Sequence, residues 1–306
     1  MNPVNYKNLE ETELSISRLK KVVWPDINSA IDHNKFIKDV EQILFNEFDY
    51  IPLSVRINDR FDLPLFRARE LKSFTDINLF HEHSLPPIHL SVTQRCNFAG
   101  HPVFYCSMNP LTAVFEVVRN NDYTSKKYCI SKWAISEGSE IANQSFLQVP
   151  LHKENYLQNL RNDEKEKVRK IFGRELEESK VNGIIKYWEF LQEMFVSDNY
   201  TLSATLAHKS LFGKNNPINP DIIIYPSLQS NSVTANFAIH PNFVNQRLIL
   251  KRLYVVEIVG YNKTSMRCDV NVTKFGKIER NKIIWEDPIT EGYLEAYAQD
   301  FKHMVE

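Results

Sequence analysis

The sequence predicts an α+β fold. Short apolar runs rich in β-branched and aromatic residues recur along the chain, and such runs are typical of buried strands. Longer segments place their apolar residues three and four positions apart, which is typical of amphipathic helices. No internal repeat or low-complexity linker interrupts the 306 residues, so we expect one continuous domain with added helical segments.

Seven segments have the composition of strands. Residues 221–225 form a β-branched run that stops at Pro226, which lacks the N–H donor that a central strand needs. Residues 65–69 alternate apolar residues with Arg67 and Arg69, and period two places both arginines on one face. The predicted strands are residues 65–69, 102–106, 128–135, 221–225, 235–239, 252–259 and 282–286.

Helical segments surround these strands. An apolar stripe at helical spacing marks the N-terminal region and comprises Phe36, Val40, Ile43, Leu44 and Phe48. We therefore expect a helical N-terminal extension over residues 1–60, a main domain over residues 61–306 and a helical insert over residues 150–200. Within the insert, residues 182 and 183 (Asn-Gly) are expected to separate two helices. Residues 143–150 are expected to be a loop, and residues 200–211 and 292–306 further helices.

Charge and glycine content narrow the function classes. Lys and Arg number 37 against 38 Asp and Glu, a formal net charge of -1, which gives no reason to expect a nucleic-acid or membrane-surface partner. The chain has only 8 Gly and contains neither GxGxxG nor GxxxxGKS/T, so a glycine-rich phosphate loop is not expected.

Cysteine and histidine spacing predicts neither a disulfide nor a metal site. The 4 cysteines contain no CxxC pair, and the histidines of residues 81–89 fit no usual zinc spacing. Residues 1–17 lack the apolar core of a signal peptide, and no run of 18 apolar residues occurs. A cytoplasmic, reducing location is therefore expected.

The stretch from residue 94 to residue 118 carries the strongest local signals. It is predicted to lead from a polar loop containing Arg95 and Asn97 through a short strand into a helix. Asn109 suits the N-cap of that helix, and Pro110 suits its first position. The helix, residues 111–118, is apolar on every face, which is typical of a buried helix, and its one charge is Glu116.

Glu116 needs a partner, because a carboxylate on a buried helix is costly to desolvate. One interpretation is structural: Glu116 reaches solvent at a rim or pairs with an arginine. The other is functional: Glu116 points into a cleft and meets a polar substrate, while Arg95 binds an anionic group of that substrate. The sequence alone leaves both open.

The same stretch resembles the RES-domain family, named for an arginine, a glutamate and a serine. The family pattern is an Arg-x-Asn loop, a glycine, an apolar strand ending in tyrosine, and a helix with Thr-Ala and Glu. The matching residues here are Arg95, Asn97, Gly100, Tyr105, Thr112, Ala113 and Glu116. Outside the stretch, Arg67 in its Leu-Phe-Arg context matches the first family arginine, although Arg69 is a second candidate. Ser227, in Tyr-Pro-Ser, and Asn236 match the last motif, and the whole resemblance covers about residues 63 to 245.

The resemblance implies an ADP-ribosyltransferase-like fold, with a mixed or split β-sheet core, flanking helices and a helical insert. It also implies an enzyme that consumes NAD+ as substrate by cleaving the nicotinamide–ribose bond, without a metal. Many members are toxins of toxin–antitoxin pairs, so a helix-turn-helix antitoxin of the Xre type is the implied protein partner. The acceptor of the ADP-ribosyl group, whether water, phosphate or a protein side chain, stays open.

Site roles follow from the resemblance and from the chemistry of the bond. Its cleavage passes through an oxocarbenium-like sugar, which a carboxylate such as Glu116 stabilises most in the transition state. Arg67 and Arg95 would hold the diphosphate, and Tyr105 would stack on the nicotinamide ring. Ser227 would hydrogen-bond a phosphate or the carboxamide. Asn97 and Asn236 complete the expected set of NAD+-binding residues.

Two alternatives stay open. The same residues suit a protein ADP-ribosyltransferase, or a non-catalytic module that binds a nucleotide or a partner protein. The chain also departs from the family after Ser227, where Gln229 and Ser230 stand in place of a frequent arginine. Apart from the resemblance, Ser227 is typical of a turn serine that bonds its own backbone.

Overall fold

The computed structural model describes residues 4–119, 122–138, 140–155, 157–214, 216–262 and 267–301. The fold is mixed α/β, with helices flanking β-sheet, which confirms the predicted fold at that level. The chain divides into two compact units built from interleaved segments. The first unit comprises Met1–Arg56, Pro87–Pro102 and Ala142–Tyr225, and the second comprises Ile57–Pro86, Val103–Ile141 and Pro226–Glu306.

The first unit is largely helical. Its helices are α1 (Leu9–Leu19), α2 (His33–Phe45), α4 (Gln158–Phe172), α5 (Glu178–Val196) and α6 (Tyr200–Phe212). Helix α1 begins with a reciprocal cap, in which the Asn8 side chain accepts from the Glu11 amide at 3.0 Å and the Glu11 carboxylate accepts from the Asn8 amide at 3.0 Å. The N-terminal helices and the predicted insert thus contribute to one compact unit.

The predicted helix break at residues 182 and 183 is wrong, because α5 continues through Gly183. The glycine is needed for packing against α1. A Cβ atom at this position would collide with the backbone carbonyl of Lys7 and the Thr12 hydroxyl. Close approach of two backbones therefore explains an Asn-Gly pair that, read locally, predicts a turn.

Two strands of the first unit form a parallel pair, β5 (Ile141–Ser145) and β6 (Ile222–Pro226). The prediction of a loop over residues 143–150 is therefore wrong at its start. Strand β5 is buried along its whole length although it carries Asn143, Gln144 and Ser145. The polar side chains of this segment favour a loop when the sequence is read locally. Backbone pairing with the apolar strand β6 stabilises a strand there.

The second unit contains an antiparallel sheet. Its strands follow the order β7-β3-β2-β4-β8-β9-β10. They are β2 (Leu65–Glu70), β3 (Phe104–Ser107), β4 (Lys127–Ile135), β7 (Ala235–Ile239), β8 (Leu248–Asn262), β9 (Arg267–Glu279) and β10 (Lys282–Glu286), and a further short strand is β1 (Arg56–Asn58). Six of these strands were predicted, namely β2, β3, β4, β7, β8 and β10, whereas β1 and β9 were not. The unit also holds the helices α3 (Pro110–Val118), α7 (Pro241–Arg247) and α8 (Glu291–Phe301).

Helix α3 begins as predicted. Asn109 is its N-cap, and the Asn109 side chain accepts from the amides of Leu111 at 2.9 Å and Thr112 at 3.1 Å, while Pro110 occupies the first turn. Its apolar side packs on Phe66 and Ile130 of the sheet. The helix therefore presents its remaining side, which contains Thr112 and Glu116, toward other elements.

A buried charge cluster attaches α8 to the sheet of the second unit. The Asp300 carboxylate, whose side chain is 1% exposed, pairs with Lys132 at 2.6 Å and with Arg252 at 2.7 Å. It also accepts from the Tyr254 hydroxyl at 2.7 Å. The helix was expected to continue over residues 302–306, which lie outside the described residues.

Three histidine rings meet in the first unit. The His101 ring lies 5.5 Å from that of His33 and 4.8 Å from that of His208, measured between centroids, and Phe98 stacks on His33 at 4.6 Å. Burial first, and then His101 and His33, lower the pKa of His208 to about 4. The His208 imidazole is therefore neutral at neutral pH.

Candidate functional site

The Glu116 carboxylate is the centre of a polar cluster in the second unit. Its Oε1 atom accepts two hydrogen bonds, from the Ser227 hydroxyl at 2.7 Å and from the Asn236 side-chain amide at 2.7 Å. Ser227 is 0% exposed and Asn236 is 4% exposed, whereas Glu116 is half-buried. Three of the residues that the sequence singled out therefore meet at one oxygen atom, although they come from three separate segments of the chain.

Ser227 is fixed by the tight loop that joins β6 to β7. Its amide donates to the Thr234 carbonyl at 3.0 Å, and its carbonyl accepts from the Ser232 amide at 2.9 Å. Asn231 and Ser232 turn the chain with φ of 49° and 59°. Ser227 also caps a short helical turn, since its hydroxyl accepts from the Ser230 amide at 3.3 Å. The predicted turn role and the contact with Glu116 thus coexist.

A chain of hydroxyl groups connects this loop to α3. The Thr112 and Thr234 hydroxyl oxygens lie 2.9 Å apart, and those of Thr234 and Ser230 lie 2.9 Å apart. The Ser230 hydroxyl then donates to the Ser227 carbonyl at 3.1 Å. Thr112 lies one helical turn before Glu116, so the chain sets the distance between the helix that carries the carboxylate and the loop that carries its donor.

Asn236 is held from the sheet side by Ser107. These residues are direct cross-strand partners in the β3–β7 register, so their side chains share one face of the sheet. The Ser107 hydroxyl donates to the Asn236 side-chain oxygen. The amide nitrogen of Asn236 is then the group that faces Glu116, and it donates to the carboxylate.

The two oxygens of the Glu116 carboxylate differ in their contacts. Within the described part of the chain, Glu116 Oε2 has no hydrogen-bond partner and the carboxylate makes no salt bridge. Both partners of Oε1 are neutral donors, which orient the negative charge without neutralising it. Such a carboxylate suits a ligand that is, or becomes, positively charged.

Tyr105 lies two residues before Ser107 on β3, so both side chains are on the same face of the sheet. Its register partner is Ala238, which is likewise two residues from Asn236 on β7. The tyrosine is half-buried, whereas its neighbours Phe104 and Cys106 are buried on the other face. Tyr105 therefore lies on the sheet face that also carries Ser107 and Asn236.

Arg67 lies on the opposite face of this sheet. Its neighbour Phe66 pairs with Ser107, so the alternation of β2 turns Arg67 away from the face of Ser107 and Asn236. In agreement, its guanidinium lies 5.1 Å from the centroid of the Phe104 ring, and Nη1 donates to the Tyr105 carbonyl at 2.9 Å. Arg67 was expected to share a cleft with Glu116. The strand register places it on the other face of the sheet, so this expectation is not met.

The environment of Arg67 is unusual in its own right. The residue keeps some solvent exposure, but its Nε atom is buried and has no hydrogen-bond partner among the described residues. Burial first, and then the like charge of Arg69, lower the pKa of Arg67 to about 10. Arg67 is thus still cationic at neutral pH.

Arg69 shares the face of Arg67, as period two predicted. Its guanidinium donates to the carbonyls of Glu82 and Ser73, pairs with the Glu82 carboxylate at 3.6 Å and lies 4.2 Å from the Phe74 ring centroid. These contacts are structural: they hold residues 71–82 against β2.

Arg95 belongs to the first unit and has a structural environment there. Its Nη1 atom donates to the carbonyls of Phe195, at the end of α5, and of Ser197, the latter at 2.9 Å. The guanidinium also lies 5.2 Å from the Tyr200 ring centroid. A cation at the C-terminal end of a helix satisfies free carbonyls and complements the helix dipole. The Arg95 guanidinium, which was expected to bind the diphosphate, therefore caps the C-terminal end of α5.

Asn97 also lies in the first unit, where its side-chain amide donates to the carbonyls of Val92 and Phe98, each at 2.9 Å, and to the Ser91 hydroxyl at 3.3 Å. The residue is 2% exposed. These contacts fold the loop of residues 91–98, so the Asn-containing motif has a structural explanation in place of the expected NAD+-binding role.

The remaining predictions concern cysteines, metals and membranes. None of the four cysteines, all of which lie in the described part of the chain, forms a disulfide, and burial raises the pKa of the Cys106 and Cys129 thiols. Among the described residues, no three His, Cys, Asp or Glu side chains are arranged to hold a metal ion. Each helix in the described part of the chain is too short or too polar to cross a membrane.

Comparison with known proteins adds no relative. No family model matches the chain, and no curated protein or solved structure is significantly similar to it.

Sequence reasoning missed the residues that support the cluster. Ser107 and Thr234 were not singled out, and Thr112 was noted only within the family pattern. A signal did exist for Thr112, since it precedes Glu116 by four residues and thus shares its side of the helix. Ser107 and Thr234 become visible only through the strand register and the loop fold.

Proposed function

We propose that this protein cleaves NAD+ at the nicotinamide–ribose bond. The observation that carries the proposal is the Glu116 carboxylate, oriented through Oε1 by two neutral donors and left without a counter-cation among the described residues. A purely structural carboxylate in this position is expected to meet an arginine or lysine. A carboxylate kept negative beside a half-buried surface suits the stabilisation of a developing positive charge.

The reaction follows from this placement. The C1′–N bond breaks, its electron pair leaves with nicotinamide as a neutral base, and positive charge develops on the ribose. Glu116 Oε2 stabilises that charge, more strongly in the transition state than in the bound NAD+. With water as acceptor, its oxygen bonds to C1′ and a proton is released, giving ADP-ribose. No general acid is needed, since the leaving group is neutral.

Neighbouring residues suit supporting roles. Tyr105, on the same face of the sheet as Ser107 and Asn236, would stack against the nicotinamide ring and orient the bond. Ser227 and Asn236 act on Glu116, which replaces their expected direct contacts with NAD+. Arg67 and Arg95 have no role in the proposal. The Arg67 guanidinium lies on the opposite face of the sheet, where it donates to the Tyr105 carbonyl, and the Arg95 guanidinium caps the end of α5.

The family resemblance extends the proposal beyond the chemistry. It includes an ADP-ribosyltransferase-like fold, which the antiparallel sheet of the second unit supports, with α3 packed on one face. It also includes the role of a cytoplasmic toxin paired with an Xre-type antitoxin. These parts rest on the motif around Tyr105, Glu116 and Ser227.

The test is nicotinamide release from NAD+ by the purified protein. Release with formation of free ADP-ribose supports the hydrolytic reaction. Release with a mass increase on an added protein indicates an ADP-ribosyltransferase. Binding of NAD+ without any release indicates the non-catalytic module and refutes the proposed activity.

A further inference from the structure

Ser107 holds the end of the Asn236 side chain that faces away from Glu116. An asparagine amide has a donor end and an acceptor end of nearly the same shape. The Ser107 hydroxyl, 2% exposed and opposite Asn236 in the register, donates its single proton to the Asn236 oxygen. The other end of the amide, its nitrogen, donates to Glu116.

The alternative orientation would reverse the effect on Glu116. An Asn236 oxygen directed at Oε1 would place two acceptors against each other and would repel the carboxylate. The site of these groups is buried, and a misdirected polar group is costly there. A serine hydroxyl can donate or accept, so the acceptor-only Glu116 carboxylate sets which end of the amide faces it, and the Ser107 hydrogen bond holds the amide in that place.

We propose that Ser107 is a positioning residue: through the Asn236 amide it fixes the Glu116 carboxylate that stabilises the ribose cation. This inference rests on the proposed function and deepens it, since it extends the site from three residues to a directed relay from Ser107 through Asn236 to Glu116. The relay joins two strands of the sheet to α3. Because Ser107 and Asn236 are cross-strand partners, the position of Glu116 depends on the register of β3 and β7.

The experiment compares Ser107→Ala with a matched control, Ser131→Ala. Ser131 is also 2% exposed on a strand of the same unit, and its hydroxyl contacts Trp133 at 2.9 Å and the Arg67 carbonyl at 3.2 Å on the other face. We expect Ser107→Ala to lower kcat for nicotinamide release about tenfold with KM nearly unchanged, because supporting hydrogen bonds act on the transition state. Ser131→Ala should leave kcat at the parent value.

A double-mutant cycle tests whether Ser107 acts through the amide. In an Asn236→Ala background, Ser107→Ala should lower kcat no further, because the group that it orients is gone. Independent, multiplying effects of the two substitutions would overturn the inference. Should Ser107→Ala not fold, Ser107→Cys keeps the volume with a weaker donor and gives the same comparison.

A spectroscopic measurement separates this inference from the proposed function. In protein with isotope-labelled asparagine, the side-chain amide signal of Asn236 should move in Ser107→Ala and stay in place in Ser131→Ala. If the parent protein releases no nicotinamide, the proposed function fails while this signal still reports on the relay. An Asn236 signal that is unmoved in Ser107→Ala overturns the role of Ser107, whether or not the protein is active.

Discussion

Glu116 and Ser227 are joined by a hydrogen bond of 2.7 Å across 111 positions of the chain. Each is supported separately, Glu116 by the capped helix α3 and Ser227 by the loop between β6 and β7. The contact therefore joins two structures that lie far apart in the chain, the capped helix and the loop. This explains why a change in either one should alter the same carboxylate.

The first prediction concerns Glu116→Gln. Glutamine keeps an acceptor oxygen for Ser227 and Asn236, so the fold should tolerate it and NAD+ binding should change little. It cannot supply negative charge to the ribose cation, and the loss of one preorganised electrostatic contact typically costs about 100-fold in turnover. The measurement is the rate of nicotinamide release beside a thermal melt.

A matched control for that variant is Glu257→Gln on β8. Glu257 pairs with Lys127 at 2.8 Å and is partly exposed, so its change should affect neither the melt nor turnover appreciably. If Glu116→Gln is folded and releases nicotinamide at the parent rate, the proposed mechanism is wrong.

The second prediction concerns Arg95→Ala, which should act on stability. The substitution leaves the carbonyls of Phe195 and Ser197 without their donor, and such a loss typically costs about 1–3 kcal/mol of unfolding free energy. Denaturant unfolding measures it. Arg60→Ala, whose side chain is 82% exposed, should have almost no effect. A fully stable Arg95→Ala that binds NAD+ more weakly would restore the substrate-clamp interpretation.

The third prediction concerns Asp300→Ala in the α8 cluster. The change leaves Lys132 and Arg252 without their shared carboxylate and Tyr254 without its acceptor. Removal of one partner of a buried ion pair typically costs about 3–5 kcal/mol. Thermal unfolding should report the loss, whereas the exposed Asp287→Asn should melt like the parent. Equal melts for the two variants would show that the cluster contributes nothing to stability.

The fourth prediction is a loss of stability in acid caused by His208. Its pKa is lowered to about 4 in the folded protein, whereas an unfolded histidine titrates at about 6.5. Below pH about 6.5 the unfolded state therefore binds more protons, so stability is complete above that pH and falls as the pH drops toward about 4. Allowing for partial exposure, the loss is on the order of 2 kcal/mol.

The groups that face His208 define its control. They are the rings of His101, His33, Phe98 and Phe212, with Asp32 acting on His33. His208→Phe should flatten the dependence of unfolding free energy on pH between about 6.5 and 4, while the exposed His89→Gln should leave it as in the parent. An unchanged pH dependence in His208→Phe would assign the acid sensitivity to other groups.

Local sequence signals predicted the parts of the site that are locally determined. Asn109 and Pro110 set the start of α3, and the β-branched run before Pro226 set β6, because capping and strand propensity act within a few residues. Glu116 could be recognised as a charge that needs partners. The identity of those partners depends on long-range packing. The resemblance implied contacts of Ser227 and Asn236 with NAD+, whereas the structure joins both side chains to Glu116.

The predictions that failed did so where tertiary contacts override local patterns. Arg95 and Asn97 match a motif whose letters also suit helix capping and loop closure, and nothing local distinguishes these uses. Arg67 was assigned correctly to a strand, but its face follows from the pairing of Phe66 with Ser107. Gly183 was read as a break because the helix that packs on it lies far away in the sequence.

The interleaving of the two compact units has a practical consequence for genetic dissection. Each unit draws on three separate stretches of the chain, and the two spans overlap from residue 57 to residue 225. A single truncation point at any position therefore divides at least one unit. In a nested series of deletions, activity would be lost through misfolding, and the series would not show which residues carry the activity. Mapping of this protein has to proceed by substitution within the intact chain.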